Sequence, residues 1–254
     1  MQFFVISHMK IPKWYLSLTV LLVVLSAGIY ALQLAVFHNP RDTFFYMLQD
    51  LAFVPIQVLL VTLILSDLMA RREKRLLLQK MNMVIGAFFS EVGSALLKQL
   101  AAHDRRLPEI RQDLLLAVGW DKARFRTARE TVRRAGQTID SREVDLGCLK
   151  AFLMEKRPFL MGLLENQNLL EHETFTDLLW ATTHLTEELA FRQMLTGLPE
   201  PDLNHLSGDI RRVYGLLVIE WLRYVEHLSI AYPYIYSLTV RTNPFDLDAE
   251  VTLR

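Results

Sequence analysis

The chain contains a single cysteine, Cys148, so no disulfide can form within it and no zinc site can be built from several thiolates. It also lacks the short signatures of common enzymes: a P-loop, a glycine-rich dinucleotide fingerprint, a nucleophile elbow and a His-Glu-x-x-His motif. Long Gly/Ser linkers, internal repeats and low-complexity segments are absent as well. Enzyme classes that depend on these signatures are therefore not indicated, and function must be inferred from other features.

Net charge is also absent, because 28 Lys and Arg balance 28 Asp and Glu. The balance hides an asymmetry along the chain. Residues 71–135 hold 15 basic against 7 acidic side chains, whereas residues 136–254 hold 10 against 18. The simplest interpretation is one domain made of two oppositely charged parts. The alternative is that the basic part faces an anionic membrane surface.

Two long apolar runs lie near the N-terminus, from Trp14 to Phe37 and from Phe44 to Met69. Each has room for the roughly 20 apolar residues that cross the hydrocarbon core of a bilayer. A short polar link, residues 38–42, separates them. The sequence therefore predicts a transmembrane hairpin within residues 1–70.

The orientation of the hairpin follows from positive charge, which is retained on the cytoplasmic side. Lys10 and Lys13 precede the first run, and the link carries only Arg41 beside Asp42. The second run is followed by the cations Arg71, Arg72, Lys74, Arg75 and Lys80. We expect a multi-pass protein of a prokaryotic-type inner (plasma) membrane, with both termini cytoplasmic and these cations on anionic inner-leaflet lipids. A cleaved signal peptide is the rival interpretation, but the first run is too long for one.

Helical periodicity dominates the rest of the chain, so the predicted fold class is an all-α membrane protein with a cytoplasmic helical bundle. We expect a cytoplasmic helical domain over residues 71–241 and an extended tail over 242–254. The predicted helices cover 71–103 as a continuation of the second run, 108–118, 122–135 after an Asp121 cap, 143–168 interrupted at Pro158, 172–196, and 203–232 after an Asp202 cap. Residues 249–253 are a candidate short strand.

Imidazole and carboxylate side chains recur at helical spacing on the last two of these helices. Folding the hairpin about residues 197–201 brings Glu188 level with Asp209, and Arg192 level with His205. Facing helices of a bundle can build a transition-metal site in this way, here from His184, Glu188, His205 and Asp209. The more ordinary interpretation is a solvated or salt-bridged face on which the two histidines point apart, with no cofactor at all.

A basic stripe lies on the helix that starts after Asp121. Its spacing of four, three and four residues places these cations on one face: Lys122, Arg126, Arg129 and Arg133. The stripe fits a solvated or intrachain-paired face, contact with a membrane surface, or contact with nucleic acid. Nucleic acid is the least favoured partner, because no aromatic side chains interleave with the cations as base-stacking platforms.

Asp50 and Gln57 lie within the second apolar run, with Pro55 between them. Polar groups in hydrocarbon are costly, so they are expected to face protein or water. In an oligomer they could line a pore. Alternatively, Gln57 bonds across helices while Asp50 lies near the hydrated interface.

The leading functional hypothesis is a membrane-anchored helical protein without catalytic activity, a homo-oligomeric scaffold, sensor or module for an unknown protein partner. Two apolar helices bury little surface by themselves, and their polar residues need partners, which is why an oligomer is expected. The alternative is a small oligomeric channel or transport-associated protein that uses Asp50 and Gln57. The third hypothesis is a membrane-tethered metalloprotein that uses the histidine and carboxylate stripe.

Overall fold

The computed structural model describes residues 13–166 and 172–252, and every regular element in those residues is helical. The all-α expectation is thereby confirmed. The helices are α1 (Lys13–Phe37), α2 (Pro40–Phe88), α3 (Ser94–Ala101), α4 (Leu107–Ile110), α5 (Lys122–Ala135), α6 (Leu146–Leu164), α7 (Glu173–Phe191), α8 (Glu200–Ala231) and α9 (Pro233–Arg241). A π-helical turn, Phe89–Gly93, joins α2 to α3, and a 3-10 turn, Arg111–Asp113, follows α4.

The chain divides into two compact units, Met1–Arg72 and Glu73–Arg254. The first unit consists of α1 and the apolar part of α2. Both helices are long and apolar enough to cross a membrane, and in their most apolar windows no residue is buried within the chain. Helix α2 begins at Pro40, four residues before the predicted start at Phe44, because proline is favoured in the first turn of a helix. The tight link places His38 at a positive φ of 53°.

Helix α2 runs from Pro40 to Phe88 without interruption, despite Pro55 in its interior. This confirms that the second apolar helix continues past the Arg71–Arg75 cluster. The π-helical turn then rotates the chain so that Phe89 and Val92 join the core. At Gly93 a β-carbon would lie 2.6 Å from the ring of Phe89 and 2.8 Å from the ring of Phe88. Only glycine allows this close approach of backbone to ring.

The second unit is a helical bundle arranged around α8. Helix α8 packs against α3, α5, α7 and α9, and α6 packs on the other side of α7. The predicted inward stripes are buried on both helices of the α7–α8 hairpin, including Phe175, Leu185, Leu206 and Trp221. A paired charge adds to this packing, because Arg129 of α5 and Glu226 of α8 are 2.6 Å apart and both largely buried.

Three predicted helix boundaries were wrong. Helix α7 ends at Phe191 rather than at residue 196, because Arg192 turns to extended backbone while its side chain bonds Glu188 and Asp202. Asp202 is consequently not the cap of α8, which starts two residues earlier at Glu200. The predicted helix over 108–118 is shorter than expected, since only residues 107–113 are helical, as α4 and the 3-10 turn that follows it.

The predicted ends of α5 were confirmed, whereas the predicted break at Pro158 and the predicted strand near the C-terminus were not found in the described residues. Asp121 caps α5 by accepting a bond from the backbone N–H of Arg124, and Gly136 ends that helix at φ 66°. Helix α6 passes through Pro158 without a break. Pro158 is exposed, and so is Met154, the residue whose carbonyl loses its helical partner at the proline. Residues 249–252 form no strand, and Leu253 lies outside the described residues. Cys148 is exposed in the first turn of α6.

Candidate functional site

The strongest candidate site lies between α7 and α8, which run antiparallel on either side of the turn over residues 192–199. Helix α7 supplies His184 and Glu188, and α8 supplies His205 and Asp209. In each helix the two residues are four apart and therefore lie on one face. The antiparallel arrangement brings the histidine of each helix next to the carboxylate of the other. We call these four residues the α7–α8 cluster.

The distances within the α7–α8 cluster are short and similar. Asp209 Oδ2 lies 3.3 Å from His205 Nε2 and 3.6 Å from His184 Nε2. Glu188 Oε2 lies 3.6 Å from His205 Nε2, and Glu188 Oε1 lies 3.8 Å from His184 Nε2. The ligand atoms of His184, His205 and Asp209 all lie within 4.8 Å of one another. The two histidines therefore converge, contrary to the expectation that they would point to different faces.

Burial within the α7–α8 cluster is uneven. Asp209 is only 4% exposed, and its Oδ2 atom has no hydrogen-bond partner within the described part of the chain. The side chains of His184 and His205 are about half exposed, at 46% and 52%. The cluster is thus a shallow site with a buried carboxylate at its base and imidazoles at its rim. Such a set of two imidazoles and two carboxylates suits a transition-metal ion.

The predicted register of the hairpin was wrong by about one helical turn. Arg192 was expected beside His205, but its guanidinium instead binds Asp202 through Nε at 3.0 Å and Nη2 at 2.5 Å. Its Nη1 donates to Glu188 Oε2 at 2.7 Å, so Glu188 faces His205 rather than Asp209. Hydrogen bonds from Arg192 lower the pKa of both carboxyl groups below their usual values, despite the opposing effect of desolvation. Glu188 is consequently held ionised at the edge of the cluster.

The polar residues Asp50 and Gln57 of the first unit do not form a cluster like the α7–α8 cluster. Tyr30 of α1 donates to Asp50 Oδ2 at 3.3 Å, which joins α1 to α2. Gln57 is exposed, as are its neighbours along α2. Whether either residue lines a pore stays a prediction.

The cations that follow the apolar part of α2 are Arg71, Arg72, Lys74, Arg75 and Lys80, and all of them are exposed. Arg71 forms an ion pair of 2.8 Å with Asp67 one turn earlier. Exposed cations at the end of an apolar helix are suited to contact lipid phosphates. This contact also stays a prediction.

The basic stripe of α5 is partly used inside the chain. Arg129 pairs with Glu226, and the neighbouring Arg124 binds Asp113 at 3.0 Å and lies over the ring of Trp120. Lys122, Arg126 and Arg133 are exposed. The paired members support the interpretation of a structural helix face, with three remaining cations in solvent.

Sequence reasoning missed two polar groups that matter for the second unit. Glu220 of α8 is 1% exposed, and Arg223 bonds it at 2.5 Å while also donating to Thr174. Asp104 is buried in the segment after α3, where its Oδ1 accepts bonds from the backbone N–H of Arg106 and from the backbone N–H and the hydroxyl of Thr138. The spacing of three residues between Glu220 and Arg223 was a usable signal. The bond from the backbone N–H of Arg106 is a local turn contact, but the contact with Thr138, 34 residues away, has no local sequence pattern.

Comparisons with known proteins cover nearly the whole chain. Residues 77–241 match the family model described as Uncharacterized protein MJ1433, C-terminal helical domain, and residues 9–69 match MJ1433, N-terminal helical domain. Protein MJ1433 of Methanocaldococcus jannaschii is 42% identical over 238 residues, which are 94% of this chain and 96% of that protein. No solved structure matches the chain. With both helical domains matched in order, the chain belongs to the MJ1433 family.

Proposed function

We propose that the protein is a membrane-anchored helical module without catalytic activity, in which the first unit holds the second at the cytoplasmic face of an inner membrane. The observation that carries the proposal is the exposure of the two helices along the apolar segments that are long enough to cross a membrane. In their most apolar windows no residue is buried, whereas the second unit has its own core from Met81 to Phe245. Exposed apolar surface on this scale requires a lipid or protein environment.

Charge supports the orientation. Positive residues cluster directly after the apolar part of α2, while residues 38–42, which cover the link and the first turn of α2, have one cation beside one acid. This charge distribution supports a cytoplasmic position for the second unit, where a protein partner could reach it. Anionic lipids are the chemistry that the exposed Arg71–Lys80 cations recognise.

Native Cys148 provides a direct test of the orientation, because it is the only thiol and it is exposed in the second unit. A membrane-impermeant maleimide should label Cys148 only after intact expressing cells are permeabilised. In a Cys148→Ser background, Asn39→Cys should be labelled in intact cells, since Asn39 lies in the link between the two helices. Labelling of Cys148 from outside intact cells would overturn the proposed orientation.

The proposal includes self-association through the apolar helices. Gln57→Leu removes an exposed amide from α2 and should weaken the oligomer by about 0.6–2 kcal/mol, the range measured for hydrogen bonds between helices in membranes. Gln49→Leu, near the start of the same helix, is the control. Native mass spectrometry in detergent would measure the change. An unchanged distribution of oligomers in Gln57→Leu would contradict this contact.

The bond from Tyr30 to Asp50 favours packing within the hairpin over a pore lining for Asp50.

A further inference from the structure

We propose that the α7–α8 cluster binds one divalent first-row transition-metal ion, with Zn²⁺ as the representative probe. His184, Glu188, His205 and Asp209 would each supply one ligand atom. This site goes beyond the membrane-anchoring role and does not depend on it, because all four residues belong to the second unit.

The spacing of the imidazoles and Asp209 is compatible with ligands around one metal ion. Ligands held about 2.0–2.2 Å from a tetrahedral ion lie about 3.3–3.6 Å from one another. The four imidazole–carboxylate contacts measure 3.3, 3.6, 3.6 and 3.8 Å. By contrast, Arg192 and Glu188 of the same hairpin form an ordinary charge-assisted hydrogen bond of 2.7 Å. Glu188 approaches His205 through Oε2 and His184 through Oε1, so only one of these two contacts can belong to a single ligand atom. The ligand atoms of His184, His205 and Asp209 lie within 4.8 Å of one another, which is close enough to surround a common centre.

The buried oxygen of Asp209 is the second, independent observation. Asp209 is more than nine-tenths buried, and its Oδ2 atom faces both imidazole Nε2 atoms without a hydrogen bond in the described residues. A buried carboxylate oxygen without a partner destabilises the folded state, because it has lost its hydration. A cation between Asp209 and the two histidines would replace that hydration.

The helices present the ligands in a favourable way. Each helix contributes one histidine and one carboxylate at a spacing of four residues, so each pair chelates from one rigid face. Two carboxylates balance the charge of a divalent ion. Two imidazoles favour zinc, iron, nickel or copper over magnesium and calcium, which prefer oxygen ligands. The chemistry of the set therefore selects a transition metal.

Arg192 acts as a positioning residue for this site. It binds Glu188 Oε2 and the Glu188 carbonyl, which leaves Oε1 facing His184. Its bidentate contact with Asp202 fixes the guanidinium itself. Partners that hold a metal-binding carboxylate typically change metal affinity by about 10–100-fold when they are removed. Arg192→Gln should weaken Zn²⁺ binding within that range without abolishing it.

The test is a calorimetric titration of Zn²⁺ into the metal-stripped, full-length protein in detergent. We expect one Zn²⁺ per chain in the wild type, and no saturable binding in His205→Gln or Asp209→Asn. His103→Gln is the matched control, because His103 lies outside the cluster in the segment after α3 and its replacement should leave the affinity unchanged. Titration of Co²⁺ should give the intense visible absorption of a tetrahedral ion in the wild type and not in His205→Gln.

Two results would overturn the proposal. One is the absence of saturable Zn²⁺ binding by the folded wild type, and the other is equal Zn²⁺ affinity in the wild type and in the His184→Gln/His205→Gln double variant. Circular dichroism of each variant checks that it is folded. If Asp209→Asn fails to fold, the half-exposed histidines still decide the question, because their replacement leaves the buried core intact.

Discussion

At the scale of single residues, His227 links stability to pH in the physiological range. It is half-buried on α8, and Asn82 of α2 donates to its Nδ1 atom at 3.3 Å when the ring is neutral. Burial lowers the pKa of His227 below its ordinary value of 6.5. The contribution of His227 to stability is therefore fully present above about pH 6.5 and is lost as pH falls from there towards the lower pKa of the folded state.

His227→Gln should reduce this pH dependence, because glutamine keeps a polar side chain but does not titrate. We expect the melting temperature of the wild type to fall between pH 7.5 and pH 5.5, and to fall less in the variant. Melting curves by circular dichroism across that range would measure the difference. An identical fall in the two proteins would show that His227 does not contribute.

The four residues of the α7–α8 cluster could be predicted from the sequence, but which of them face each other across the hairpin could not. Helical spacing alone places His184 with Glu188 and His205 with Asp209. Which residues face each other across the hairpin depends on where α7 ends, and Arg192 decides that through its bonds to Asp202 and Glu188. The bonds of Arg192 that end α7 leave no periodic pattern in the sequence. The predicted pairing of α7 with α8 was therefore wrong by one helical turn.

At the scale of elements, the π-helical turn Phe89–Gly93 depends on the absence of a side chain at Gly93. A β-carbon there would lie under 3.0 Å from the rings of Phe88 and Phe89, which are both buried and cannot move freely. Gly93→Ala should therefore destabilise the second unit by about 1–3 kcal/mol, as overpacking of cores does. Urea unfolding of the full-length protein followed by circular dichroism would measure the change.

Gly208→Ala in α8 is the matched control for this prediction. A β-carbon at Gly208 meets no atom within 4 Å, and the residue lies in the interior of a helix. Alanine should increase stability there by about 0.5–1 kcal/mol, because it favours the helix more than glycine does. If both alanine variants changed stability in the same direction, the steric explanation for Gly93 would be wrong.

Helix positions were well predicted where apolar spacing is regular and poorly predicted where single residues override propensity. The buried stripes of α7 and α8 and the ends of α5 at Asp121 and Gly136 follow directly from the sequence. The uninterrupted passage of α6 through Pro158 does not, since it depends on that face being exposed in the folded bundle. The π-helical turn also has no sequence signature beyond a glycine.

At the scale of the whole molecule, the two units make separate predictions about folding. Within the described residues, the buried apolar core begins at Met81 and takes nothing from residues 13–72. A fragment of residues 73–254 should therefore be soluble and helical, and should unfold cooperatively with a midpoint indistinguishable from that of the second unit in the full-length protein. Thermal melting of the fragment would measure this.

A shorter fragment that starts at Ser94 is the control, because it lacks the core side chains Met81, Ile85 and Phe88. We expect it to be unfolded or to aggregate. If the fragment of residues 73–254 also failed to melt cooperatively, the second unit would require the apolar helices for its fold, and the two-unit description would be wrong.

The central position of α8 has a consequence for synthesis of the chain. Helices α3 and α5 bury their apolar faces against α8, yet α8 ends at Ala231 of 254 residues. At about 5–20 residues added per second, Ala231 leaves the peptidyl-transferase centre roughly 6–26 s after Ala101. During that interval α3, and α5 once it is made, contact only neighbouring elements and lack the native partner α8 on the nascent chain. A ribosome that pauses before α8 would therefore hold an aggregation-prone intermediate beside a hairpin that is already complete.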